Sequence, residues 1–301
     1  MTSIWGLVWA CVSTSLGGTT VVFTRMIMAE TTPLSLTFAR YGIALIILFA
    51  LFLLRKEFIK FSRKDLMGLS IIAIFMYAGF PFCFAQALEY TTAVRGGLIF
   101  GTMPLITMCL ASIFRIEKMN LRKIIAVIIA IVGTSIVLGE NVTPLAPDAI
   151  KGDIYMFLGM LSVSIFNVSA RKYLVSYGNL AVMSYTMLVG VLLLLLLAIN
   201  FEKPFNGALD FSISGWWLLA LLSIPGGALM IYAWGEALKT ITPTQATITV
   251  GLNPVTAICL AAILLGEPIT TNVIFGFVFN FSAILLISYK KQNPTNIKSP
   301  A

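Results

Sequence analysis

The sequence predicts an all-α integral membrane protein whose ten transmembrane helices form two inverted five-helix repeats. Three observations predict it: a composition poor in charge, a regular succession of apolar stretches, and an internal self-match displaced by 150 residues. Of the 301 residues, 59% are hydrophobic and only 11% charged, and the mean hydropathy is +0.97. So few charges could not cover a water-soluble globule of this size. At roughly 20 apolar residues per crossing of a core about 30 Å thick, the chain has room for about ten crossings.

The first half carries apolar helices at 4–28, 33–54, 66–89, 94–114 and 121–138, and the second at 152–173, 179–199, 215–238, 243–265 and 271–289. A β-barrel would need short alternating segments, whereas Leu192 to Leu197 is an unbroken leucine run inside a longer apolar stretch. The first basic residue is Arg25, so the opening stretch lacks the positive flank of a secretory signal and reads as a retained helix. The repeats occupy 1–140 and 151–290, and the polar stretch 291–301 reads as a disordered cytoplasmic tail.

Basic residues set the expected orientation. With ten crossings, Arg55, Lys56, Lys60, Arg63, Lys64, Arg115, Lys118, Arg122, Lys123, Arg171, Lys172 and Lys239 fall on one side, joined by Lys290, Lys291 and Lys298 of the tail. Arg25, Arg40, Arg95, Lys151 and Lys203 fall on the other side or within a span. The positive-inside bias then places both termini in the cytoplasm. The net charge of +8 is thus a topology signal; no basic face stands on a soluble domain, which argues against a nucleic-acid partner.

The absence of histidine excludes HExxH metal sites and Ser-His dyads, and no pair of mid-membrane aspartates suggests an aspartyl protease. Neither enzyme activity, nor a metal, nor a cofactor is expected. Cys11, Cys83, Cys109 and Cys259 all lie inside the expected helices without metal-site or disulfide spacing, and read as buried free thiols.

Displacing the chain by 150 residues aligns Ala87, Leu88, Thr92, Gly101, Pro104, Cys109, Leu110, Ala111, Ile113 and Glu117 with Ala237, Leu238, Thr242, Gly251, Pro254, Cys259, Leu260, Ala261, Ile263 and Glu267: 10 identities in 33 ungapped positions. Earlier in the chain the displacement is 146, pairing Gly6 with Gly152 and Arg25 with Arg171, so four extra residues follow the seventh helix. Five is odd, so the second copy enters the membrane from the opposite side. Two inverted halves around a midplane site can open alternately to each face, the physical logic of many secondary transporters. Duplication as structural economy is the alternative.

The run Ala87-Leu88-Glu89-Tyr90-Thr91-Thr92-Ala93 leads into a helix with Pro104 at its middle and Glu117 at its end, and Ala237 to Pro243 opens the same arrangement with Pro254 and Glu267. With Arg40 in the second helix, the chain resembles, over essentially its whole length, the ten-helix EamA-type branch of the drug/metabolite transporter superfamily. The resemblance implies that helices one to four and six to nine surround a central cavity, with five and ten outside. It also implies export or exchange of small organic metabolites, often amino acids, across a bacterial inner membrane. Partners expected on this reading are the bilayer, a small solute, and a coupling proton or counter-substrate; a homodimer is left open. A channel would call for a ring of like charges or a filter loop, which the sequence does not show; a receptor or scaffold is the other rival.

Candidate site residues are read from helix breakers and polar groups inside spans. Gly101 with Pro104, and Gly251 with Pro254, mark equivalent interruptions that free backbone carbonyls; Pro81 and Pro225, the latter before Gly226-Gly227, read as further bends. The alternative for all of them is packing alone. Arg40 is the deepest cation, suited to a substrate carboxylate or phosphate, or else paired with an acid or backbone carbonyls. Gln86 and Glu236 are repeat equivalents at helix ends, and Glu236 is either a proton carrier or an interfacial acid near Lys239. Asn167 and Asn253 can bond a solute or a neighbouring helix. Tyr77 and Tyr232 offer aromatic faces with a polar tip.

Overall fold

The computed structural model describes residues 4–55, 60–90, 99–138, 149–265 and 271–288. The expected tail at 291–301 and Glu267 lie outside the described residues. Among those described, the first half contributes α1 (Ile4–Ile27), α2 (Pro33–Leu54), α3 (Arg63–Ile74, Phe75–Gly79 and Phe80–Tyr90), α4 (Met103–Ile113) and α5 (Leu121–Leu138). The second contributes α6 (Ala149–Tyr177), α7 (Asn179–Phe201), α8 (Ile213–Ser223, Ile224–Leu229 and Met230–Thr240), α9 (Pro243–Ile248, Thr249–Gly251 and Leu252–Leu265) and α10 (Thr271–Ser288).

Spans within α1, α2, α3, α6, α7, α8 and α9 are long and apolar enough to cross a bilayer, while α4 and α10 are apolar but shorter by that measure. Seven of the ten expected crossings therefore meet the criteria of length and composition. The outer surface is apolar: Ile46, Leu54, Phe201, Ile213 and Ile263 are all at least two-thirds exposed, as a lipid-facing wall requires and a water-facing one does not. The thiols depart from expectation. Cys109 is exposed and Cys11, Cys83 and Cys259 are half-buried, all of them free; in lipid an outward thiol carries no hydrophobic penalty.

Contacts between equivalent helices show that the halves are inverted. Glu202, just past the end of α7, accepts hydrogen bonds from Leu34 N (3.1 Å) and Ser35 N (2.9 Å) at the start of α2. Arg122, at the start of α5, donates through Nε to the Leu286 carbonyl near the end of α10 (2.6 Å). Further along, Gly133 of α5 lies against the Gly276 carbonyl and Phe279 of α10. The second helices of the two halves are thus antiparallel, and so are the fifth.

Six contacts repeat in equivalent pairs, all of them between halves. Ser13 Oγ donates to the Met230 carbonyl (2.8 Å), where Gly159 packs on Phe80 in the other half. Thr107 Oγ1 donates to Ser164 Oγ (2.9 Å), where Gly18 meets Ala257. Tyr77 packs on Gly190, where Gly227 meets Ala44. Adding 146 to Ser13, Gly18 or Ala44, and 150 to Tyr77, Phe80 or Thr107, gives the partner's counterpart each time. Small residues let the backbones approach closely, which is what drives association where lipid gives no hydrophobic incentive.

Acids from neighbouring segments cap helix starts. Glu202 caps α2, whose own Thr32 makes no side-chain cap bond; Glu30 accepts from Ser212 N (2.8 Å) ahead of α8. Glu117, 8% exposed, accepts from Thr244 N of α9 (3.0 Å) and pairs with Lys123 Nζ (2.6 Å). Negative charge at a helix N-terminus satisfies orphan amides and the macrodipole together. This is the role of the glutamate that closes the α4 half of the repeated motif. Glu117→Ala removes the partner of the α9 amide and leaves Lys123 only the Lys118 carbonyl, and is expected to lower stability by about 3 kcal/mol in mixed-micelle denaturation; a change within error would mark the pair as incidental.

Candidate functional site

Helix interruptions organise the interior. In α3 the turn Phe75–Gly79, and in α8 the turn Ile224–Leu229, widen into π-helix at positions related by the 150-residue displacement. Such bulges leave carbonyls without their usual intrahelical donors and recur at functional positions. In α9 a 3-10 turn, Thr249–Gly251, separates two α segments. In the first half Gly101 and Thr102 form a turn before α4, with Thr102 N bonded to the Ile99 carbonyl (2.9 Å). Gly101 and Gly251 lie in these breaks, and Pro104 and Pro254 sit in the first turn of the helix that resumes. Pro225 lies within the α8 bulge, whereas Pro81 follows the α3 bulge at the start of its last segment.

Arg40 reaches the α8 bulge. Its Nη2 donates to the Gly226 carbonyl (2.6 Å), its guanidinium lies 5.2 Å from the centre of the Tyr41 ring, and its buried Nε has no partner among the described residues. The carbonyl that receives the cation lies inside the bulge. Tyr77 is placed differently from an open cavity wall: it is 1% exposed, edge-on to Tyr41 at 5.6 Å and pressed onto Gly190. It belongs to the packed core between α3, α2 and α7.

Asn253, on α9 just past the break, lies beside Gly17 near the middle of α1, and its buried Oδ1 has no partner among the described residues. Asn167, fully buried on α6, accepts from Trp234 Nε1 (2.9 Å), while its own Nδ2 has none among the described residues. Unsatisfied amide groups in a low-dielectric interior are costly, so each is a position where a polar solute atom would be gained without displacing an existing bond. Tyr232 meets the edge of Trp9 at 5.9 Å, and its carbonyl accepts from Asn179 Nδ2 (2.8 Å). One turn on, Glu236 is half-buried. Gln86, its counterpart on α3, is also half-buried and already bonded.

The candidates therefore form three levels along α8. Arg40 stands at Gly226 towards the far end of α1, Asn253 stands near the middle, and Trp9, Tyr232 and Glu236 stand towards the end where α1 begins. Arg40 and Glu236 are not brought together, since Gly226 and Glu236 are ten residues and so about 15 Å apart along the helix. At the end where α1 begins, Gly6 rests on Thr240 and Ile241 with no space between the halves.

Sequence reading missed several of these groups. Trp9 lies in an apolar run like any other, and only its geometry against Tyr232 singles it out. Asn280, an amide midway along an apolar helix, is fully buried on α10 with Oδ1 against Gly251, tying that helix to the α9 break. The α3 bulge contains no proline, but the displacement that maps Pro225 onto Phe75 carried the signal.

The sequence profile described as the EamA-like transporter family matches the chain twice, over residues 4–139 and 150–289. Among curated proteins, the chain is 25% identical over 275 residues to "Uncharacterized transporter YyaM" of Bacillus subtilis (strain 168), covering 90% of this chain and 89% of that one. It is 23% identical over 276 residues to an "Uncharacterized transporter" of Archaeoglobus fulgidus, covering 90% and 93%. A solved structure described only as "Crystal structure of protein" superposes with a TM-score of 0.81 at 17% identity, covering 94% of this chain and 96% of that one, which is a likeness of fold.

Proposed function

The chain belongs to the EamA-like transporter family, and from that premise we propose that it is a secondary transporter of small organic metabolites, of the amino-acid class, working by alternating access. The observation that carries this reading is the paired interruption of α3 and α8 at equivalent positions in halves that run antiparallel. Two interlocked, inverted halves have two equivalent ways to tilt, one opening each face. No catalytic chemistry is part of this reading. We place both termini in the cytoplasm of a bacterial inner membrane, following the basic residues.

Arg40 is the anchor for a solute carboxylate. Because its guanidinium is bonded to the Gly226 carbonyl of the other half, a carboxylate that engages it competes with a tie between halves, which couples binding to opening. The amine and carboxylate of an amino acid are too close together to span the distance from Arg40 to Glu236. Glu236 therefore suits the coupling proton rather than the same solute, and Asn253 and Asn167 supply the polar wall between.

In liposomes the protein is expected to give saturable flux of an amino acid or related solute; conductive, non-saturating currents across a panel of solutes would overturn the carrier reading in favour of a channel. Arg40→Ala is expected to reduce transport of a zwitterionic or anionic solute at least tenfold while folded yield falls by less than half. Equal loss of both would make Arg40 a structural residue only.

A further inference from the structure

Beside the turn joining α4 to α5, a cavity of about 630 Å³ opens against the last turns of α6. Its apolar walls are Val168 and Val175 of α6 with Phe114 and Ile116 of the turn, and its polar groups are Ser169, Arg171 and Lys172. Residues 168, 171, 172 and 175 recur at helical spacing, so one stripe of α6 runs apolar, basic, apolar. The turn is shaped to complete this wall. Arg115 adopts a φ of 56°, and Ile116 N and Glu117 N both bond back to the Ala111 carbonyl (2.8 and 3.1 Å), leaving Phe114 and Ile116 exposed.

Two features call for an occupant with a negative head and an apolar body. Arg171 Nε is buried without a partner among the described residues, and a buried donor left unsatisfied is costly. Lys172 Nζ lies 4.4 Å from the centre of the Tyr173 ring. Asp65 of α3 attracts Lys172, but that carboxylate already accepts from Ser62 and Tyr177 (2.7 and 2.6 Å).

We infer that this groove binds an anionic phospholipid, its phosphate on Arg171, Lys172 and Ser169 and its acyl chains on Phe114, Ile116, Val168 and Val175. A free inorganic anion would leave the apolar walls uncovered. Basic pockets between membrane helices on the more basic face of a protein suit such headgroups. The inference is independent of what the protein transports.

The test is a thermal-unfolding titration of the purified full chain in neutral detergent with phosphatidylglycerol, phosphatidylcholine or inorganic phosphate. Phosphatidylglycerol is expected to raise the melting temperature saturably, and the other two to leave it unchanged. Arg171→Gln with Lys172→Gln is expected to weaken the phosphatidylglycerol midpoint at least tenfold. An equal rise with phosphatidylcholine, a rise with phosphate alone, or an unchanged midpoint in the variant would each overturn the inference. Should that variant not fold, Phe114→Ser with Ile116→Ser, both at the surface, must weaken the midpoint by the same factor, and failure to do so overturns it equally.

Discussion

A Gly190→Ala variant unfolds in denaturing micelles about 3 kcal/mol more readily than the parent chain. The added methyl group would sit 2.3 Å from Cγ of Tyr77, well inside van der Waals contact. Tyr77 cannot give way, because Tyr41 stands edge-on behind it at 5.6 Å and the ring is buried in the core on its other sides. Interiors packed this densely transmit strain instead of absorbing it. A double-mutant cycle isolates the cause. Tyr77→Ala alone is expected to cost about 3–5 kcal/mol through the cavity it leaves, and in that background Gly190→Ala is expected to cost under about 1 kcal/mol. An undiminished penalty in the double variant would show that the glycine is needed for its backbone and not for the ring.

Because Tyr77 and Gly190 come from opposite halves, this contact is also one of the places where the halves are held together. Its counterpart, Ala44 on Gly227, makes the same approach with small groups on both sides. The symmetry thus preserves the closeness of the helices while their side chains diverge.

How much of this was legible depended on whether the signal was local. Apolar runs located α2 and the starts of α5 and α9 to the residue, because length and hydropathy are properties of a segment alone. The displacements of 150 and 146 residues held even for contacts, as the Thr107–Ser164 and Gly18–Ala257 pairs show. Gly101, Pro104, Gly251 and Pro254 marked real interruptions, since a helix cannot continue unchanged through a missing donor. The site was harder to read. Tyr77 looked like a solute-facing aromatic, yet a glycine 113 residues away, invisible as its partner in sequence, takes it into the core. Glu202 and Glu30 are helix caps that nothing in their local sequence marks, because what they cap comes from the other half of the chain. Arg40 was read with both a solute and a carbonyl as partners; the structure shows the carbonyl, Gly226.

Under the proposed alternating access the halves must part for solute to pass, and Gly6 on Thr240 holds them together at the end where α1 begins. A Cβ at position 6 would lie 3.2 Å from Thr240 Cβ, a few tenths short of the roughly 3.5–4.5 Å of a disulfide, so Gly6→Cys with Thr240→Cys can be bridged once the four native cysteines are replaced. In inside-out vesicles, oxidation is expected to arrest solute flux completely, and a membrane-impermeant reductant added outside is expected to restore it, since the proposed topology puts that face on the cytoplasmic side. Flux that continues undiminished with the disulfide formed would contradict movement of the two halves against each other.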